Sequence, residues 1–280
     1  MKYIIVLILI FTFQSNILSA QRLTKQQVED TISKMPAFSM YKDTYFISGV
    51  PFQNVSRETA DAKYQISFRQ LLTRQTLPLD SYLFLTYTQT AFWRIYSNSS
   101  PFEEINFNPG IQVGKPIFDR QEKIVGMAFL KAEHHSNGRE SIYSRSWNHL
   151  AASYHAKIWE KTTVAVEAWF PFQYQEDNPD LMEYIGYGEV NVIQEIKQDR
   201  MSMELMLRKG WNWESKGALR MRFMYRPFGI RNLYIMAEWY NGYAENLIDY
   251  DVFTNMVRVG LVLRSDELNF LKQSPAASGQ

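Results

Sequence analysis

The stretch MSMELMLRKGWNWESKGALRMRFMYR, residues 201–226, carries two apolar stripes of period two separated by a short polar turn. In its first half Met201, Met203, Leu205 and Leu207 alternate with Ser202, Glu204 and Arg208. In its second half Leu219, Met221, Phe223 and Tyr225 alternate with Arg220, Arg222 and Arg226. Successive side chains of a β-strand point to opposite faces, so this spacing predicts two antiparallel strands with one face wholly apolar and the other charged.

The same pattern extends outward in both directions. Leu233, Ile235, Ala237 and Trp239 are set against Tyr234, Glu238 and Tyr240, and Val257, Val259, Leu261 and Leu263 against Arg258 and Arg264. From about Thr44 onward we read twelve candidate strands, centred near residues 47, 66, 86, 108, 129, 152, 167, 191, 205, 221, 237 and 260. A soluble sandwich also alternates, so the solvent is decided by other features. The strands are about ten residues long, as tilted membrane-crossing strands must be, and their number is even. Aromatic residues make up 15% of the 280-residue chain, with 17 Tyr and 7 Trp, which suits the girdles of a membrane barrel. An open sheet of this size would have to cover its apolar face, whereas a closed barrel in lipid does so and leaves no unpaired edge. The expectation is all-β: a twelve-stranded antiparallel transmembrane β-barrel over residues 41–270, its lumen filled by charges of both signs.

The N-terminus fits an exported protein. Lys2, the apolar run YIIVLILIFTF at 3–13 and Leu18-Ser19-Ala20 predict a signal peptide over 1–20. An uncleaved anchor is the other reading, but the run is short for the hydrocarbon thickness. Residues 21–40 read as a periplasmic segment with a short helix, since Val28, Ile32 and Met35 share one face. Residues 271–280 read as a disordered tail. A formal net charge of +1 gives no footprint for nucleic acid, and the absence of cysteine excludes both disulfides and acylation at a lipobox.

One segment carries chemistry: HHSNGRESIYSRSWN, residues 134–148. His134 and Ser136 stand two apart, so on a strand they share a face, roughly 6–7 Å apart at Cα. Asn148 falls where the facing strand of a hairpin would return. A base beside a hydroxyl, with a third polar group orienting the base, is how a serine is activated. Two separate parity readings place these groups on the outer wall. Ile124, Gly126, Ala128, Leu130 and Ala132 share the parity of His134 and Ser136, opposite Lys131, Glu133 and His135. Leu150, Ala152, Tyr154, Ala156 and Ile158 share that of Asn148, opposite His149, Ser153, His155 and Lys157. Polar groups facing lipid are costly and commonly mark function; the alternative is that the strands end before 134 and these residues decorate a solvated loop. In the functional reading the Gly138 amide is the oxyanion donor, and the loop's hydroxyls and carbonyls could hold a hard cation such as calcium. The substrate class is then the acyl esters of surrounding phospholipids.

These residues resemble the bacterial outer membrane phospholipase A family over roughly residues 38–270. The block H-x-S-N-G-R followed by S-R-S-W-N is present as His134 to Arg139 and Ser144 to Asn148. Tyr87-Thr88-Gln89 with Trp93, Ser99 to Phe102 with Glu104, Asn106 and Pro109, and Asp177 to Asp180 with Tyr184 to Tyr187 also match, as does the segment from Gly242 to Tyr250. The resemblance implies a twelve-stranded barrel in the outer membrane of a Gram-negative-type envelope. It also implies a Ser136-His134-Asn148 triad and calcium-dependent cleavage of phospholipids at either acyl position and of lysophospholipids, in a homodimer. Carried over, calcium is held by the main-chain oxygen of Arg139, the Ser144 hydroxyl and, across the dimer, Ser99, with Asp177 at a calcium site and Gln89 at the dimer interface. Glu140-Ser141 depart from the family's serine-aspartate, so a calcium position there would be rebuilt around Glu140. The runner-up function is a non-enzymatic barrel, a narrow channel or a structural protein; an esterase for another lipid is a third.

Overall fold

The computed structural model describes residues 22–73, 77–227, 229–230 and 232–265. The expected signal peptide and C-terminal tail lie outside them. Among the described residues, thirteen antiparallel strands form one sheet. Twelve of them close into a barrel: β2 (Thr44–Pro51), β3 (Asp61–Leu71), β4 (Tyr82–Trp93), β5 (Phe102–Phe118), β6 (Ile124–Ser136), β7 (Ser146–Trp159), β8 (Thr162–Phe172), β9 (Gly188–Lys197), β10 (Met201–Lys209), β11 (Gly217–Tyr225), β12 (Leu233–Gly242) and β13 (Thr254–Leu263). Each pairs with its sequence neighbours, and β13 returns to β2 with Val259 opposite Ser48. All twelve expected strands are present. The thirteenth, β1 (Phe38–Met40), continues the line of β2 along β3 and escapes sequence reading because it is three residues long.

Burial follows the parity in the sequence. Along β10 to β13 Ser202, Met206, Arg222, Met224, Glu238 and Arg258 are buried in the lumen, while Leu207, Phe223, Val259 and Leu261 are exposed on the outside. Exposed Leu85, Ile111, Leu130, Leu150 and Val166 continue the outer band on β4 to β8. Such a belt of apolar surface around a whole sheet is incompatible with water and suits hydrocarbon. No helix among the described residues is long and apolar enough to cross a membrane; the strands do so. Leu130, 64% exposed midway along β6, gives a direct test. Leu130→Arg should destabilise the folded barrel by about 2–4 kcal/mol, read by denaturant unfolding in lipid vesicles.

The lumen is packed in layers. At its centre Lys63 Nζ lies 2.9 Å from carboxylate oxygens of both Glu238 and Glu245. Arg222 bonds Glu238 at 2.7 Å, and Arg258 bonds Asp61 and Glu245 at 2.7 Å. Below this network Tyr45, Ile47, Met224, Tyr234, Met236 and Val262 form an apolar cluster. Across from it lies α1 (Lys25–Ser33), whose Val28 and Ile32 pack on Phe84, Met127 and Phe129. The helix expected in the N-terminal segment is therefore more than a lead-in: it stoppers the lower mouth, capped by Thr24 and Gln27 in a reciprocal box. Ile124, expected to face lipid, turns inward to this helix, because the β5–β6 register shifts between Ile117 and Phe118.

Candidate active site

The strand ladder places the outer-wall residues side by side. His134 is the cross-strand partner of Asn148, and Ser136 of Ser146. All belong to the face that carries Leu130 and Leu150, so the structure keeps β6 running through Ser136 and the loop alternative does not apply. His134 Nδ1 lies 2.9 Å from Asn148 Oδ1. An amide oxygen only accepts, so in this pairing Nδ1 carries a proton, and in the neutral ring the lone pair is then on Nε2. The amide is held that way round from its other end: Asn148 Nδ2 donates to Gln173 Oε1 at 3.1 Å. Gln173, at the end of β8 with φ +52°, was not singled out in the sequence, since only its position on the loop brings it to Asn148. Ser136 makes no hydrogen bond to His134 in this structure; the two hydroxyl and imidazole groups share a face without being joined.

The loop at 137–145 is organised by a residue to which sequence reading gives no role. Asn137, 5% exposed, accepts at Oδ1 from the Arg145 amide (3.0 Å) and the Arg139 amide (3.3 Å). Its Nδ2 donates to the Tyr143 carbonyl at 2.9 Å. Gly138 follows with φ +64°, a conformation that favours glycine, and an added Cβ would also meet the Phe107 ring at 3.0 Å. Arg139 reaches back to β5, pairing with Glu104 at 3.2 Å and with the Glu103 carbonyl. Glu140 is exposed at the start of the single 3-10 turn Ser141–Tyr143.

A second loop, 173–187, brings Asp177 over the first. Its Oδ2 accepts from the Ser146 hydroxyl at 2.7 Å and the Ser144 hydroxyl at 3.2 Å. Asn178, fully buried, donates to the Ser146 carbonyl at 2.6 Å and so fixes the loop to the start of β7. The Tyr250 hydroxyl donates to Asp180, and burial with that carboxylate pushes the phenol above its ordinary pKa. The loop's short helix α2 (Leu181–Ile185) caps the upper lumen with Trp147, Leu247 and Tyr250. Three of the four residues in the stretch from Asp177 to Asp180 thus have distinct partners. Ser99 is exposed, with φ +63°, in the turn between β4 and β5. Gln89 lies on the outer wall of β4, accepting from the Tyr87 hydroxyl at 3.0 Å. Cross-strand pairs run from Gln89 to Phe107 and from Phe107 to Ser136, so Gln89 is two strands from Ser136, about 10 Å.

The family model for phospholipase A1 matches residues 9–263. This chain belongs to that family of outer membrane phospholipases. The phospholipase A1 of Escherichia coli is 31% identical over 211 residues, 72% of this chain and 69% of that protein. A relative from Neisseria meningitidis is 30% identical over 219 residues, 74% of this chain; the chain spans 55% of that protein's length. Among solved structures, the Salmonella typhi outer membrane phospholipase, a dimer with bound calcium, superposes with a TM-score of 0.73. That match covers 87% of this chain and 99% of the other at 24% identity, and gives the fold. A closed twelve-stranded barrel of this family is a multi-pass protein of the outer membrane.

Proposed function

We propose that the protein hydrolyses acyl esters of phospholipids at either glycerol position, and of lysophospholipids, as a calcium-dependent serine hydrolase acting in a homodimer. The observation that carries this reading is the His134–Asn148 bond of 2.9 Å on a wall that otherwise faces hydrocarbon. With Nδ1 protonated, His134 Nε2 is the general base for Ser136, two residues along the same face. Ser136 Oγ adds to the ester carbonyl and its proton passes to Nε2. His134 then returns that proton to the departing alcohol, leaving an acyl-serine that water cleaves by the same steps in reverse. The Gly138 amide is the proposed oxyanion donor. Gln173 keeps the Asn148 carbonyl turned toward the imidazole.

The donor set beside the serine suits calcium, which takes oxygen ligands. The Ser144 hydroxyl and the Asp177 carboxylate are 3.2 Å apart, a separation that two oxygens on one such ion would have. The Arg139 carbonyl is the proposed main-chain ligand and Ser99 the one contributed across the dimer. Calcium bound there would put positive charge beside the developing oxyanion. Gln89, near Ser136 on the outer wall, is the proposed contact between barrels, and the dimeric, calcium-bound state of the Salmonella typhi protein supports both assignments. The channel alternative fits less well, since α1 and α2 pack against the two ends of the lumen.

Fatty-acid release from phospholipid in mixed micelles, with calcium and with a chelator, tests the proposal. Release is expected with calcium and is expected to vanish on chelation. Asp177→Ala should raise the calcium concentration for half-maximal rate by about 10–100-fold. Release that survives chelation overturns the calcium requirement, and a protein inert at saturating calcium favours a passive barrel. Crosslinking under active conditions should trap dimers; monomers alone would count against the shared site.

A further inference from the structure

The reverse face of the same hairpin carries a second constellation. Glu133 and His135, two apart on β6, point into the lumen, and His149 is the direct cross-strand partner of Glu133 on β7. One ligand atom from each lies within 4.8 Å of the others. His149 Nε2 is 3.3 Å from Glu133 Oε2, and His135 Nε2 is 4.0 Å from the same oxygen. Glu133 and His149 are 6% and 3% exposed. Even so, Glu133 Oε1, His135 Nε2 and His149 Nδ1 are buried without a hydrogen-bond partner. Unsatisfied polar atoms in a low-dielectric interior are costly, and one on each member of a three-residue cluster points to a ligand. The rings are pre-oriented, with Trp147 stacked on His149 at 4.4 Å and lying 4.8 Å from His135.

We propose that Glu133, His135 and His149 form a lumenal site for a divalent transition-metal ion of the zinc class. Two imidazole nitrogens and one carboxylate suit such an ion, whereas calcium takes oxygen alone. The neighbouring charges allow it. Lys131 is held at 2.6 Å by Glu167 and at 3.8 Å by Glu133 Oε2, which leaves Glu133 Oε1 as the oxygen open to a ligand. Lys42 lines the same cavity of about 240 Å³, which has room for water or a small anion as fourth ligand. His135 keeps 24% side-chain exposure and marks the accessible corner. An ion here would tie β6 to β7 directly behind His134 and Asn148. The site stands on lumen geometry and is independent of the proposed esterase reading.

The test uses untagged full-chain protein in detergent micelles, stripped with a chelator and dialysed against Zn²⁺, with Co²⁺ as a spectroscopic probe. One Zn²⁺ per chain is expected, with tetrahedral Co²⁺ absorption and a raised Tm. His135→Gln and His149→Gln, two isosteric changes, should each weaken binding by about 100-fold or more while leaving the far-ultraviolet spectrum of the barrel intact. His134→Ala should bind as the wild type does. The proposal is overturned if no Zn²⁺ is retained, if both glutamine variants bind undiminished, or if binding is lost with His134→Ala.

Discussion

Replacing Ser136 with alanine is expected to lower phospholipid hydrolysis by about four orders of magnitude or more, because the acyl-enzyme step loses the hydroxyl two residues from His134, and the hydroxyl of Ser146 opposite is bonded to Asp177. The substitution should leave the barrel unharmed: Ser136 is half-exposed on the outer face and makes no hydrogen bond that alanine would break. Loss of rate with unchanged unfolding would therefore be a chemical effect. Asn148→Ala should cost much less. Asn148 is neutral and orients His134 through one hydrogen bond, worth on the order of 1 kcal/mol, which corresponds to about a fivefold drop in rate. Equal losses from both changes would mean that the amide does more than fix a tautomer. Steady-state release of fatty acid by the three proteins at one calcium concentration separates these outcomes.

Glu238→Ala is expected to be the most destabilising of the lumen changes, by about 3–5 kcal/mol. The Glu238 side chain has no solvent exposure and is bonded to Lys63 at 2.9 Å and Arg222 at 2.7 Å. Truncating it leaves Lys63 with Glu245 alone and Arg222 with only Glu204 at 3.7 Å, and takes a carboxylate from beside Arg258, 3.9 Å away, so three buried cations share too little negative charge. Because the cost is that of unpaired charge, removing a partner as well should restore part of the loss. Glu238→Met combined with Lys63→Met should be more stable than Glu238→Ala alone, as a buried ion pair is often replaceable by apolar side chains of similar size. Denaturant unfolding in vesicles measures both. A double variant no better than the single would argue that Arg222, left with only the longer contact to Glu204, dominates the penalty.

The barrel was legible because lipid and lumen impose opposite chemistries on alternate residues. Leu219 to Arg226 and Val257 to Arg264 could satisfy that demand only as strands with one face in hydrocarbon, and the structure places them so. The placement of one hairpin's polar groups was legible for the same reason: the parity of Leu130 carried His134 and Ser136, and that of Leu150 carried Asn148, to the outer wall. Contacts made by the loops were not legible. Asn178 and Gln173 bond groups on β7 that come near only once the loops have packed, Asn137 bonds three groups within its own irregular loop, and such side chains leave no periodic trace. The inward turn of Ile124 was hidden too, because the extra residue Val125 in β6 resets the parity that sequence reading carries back along the strand. The Glu133, His135 and His149 constellation read as ordinary lumen polarity until the cross-strand partner of Glu133 was fixed by the ladder.

The central claim is that an activated serine stands on the lipid-facing wall, and covalent trapping tests it most directly. The protein in mixed micelles is incubated with a long-chain fluorophosphonate, with calcium or with a chelator, then digested and mapped by tandem mass spectrometry. The account predicts one adduct per chain, on Ser136, formed with calcium and abolished by chelation or by His134→Ala. An adduct on another serine, or none on Ser136 in a protein that still releases fatty acid, would contradict it.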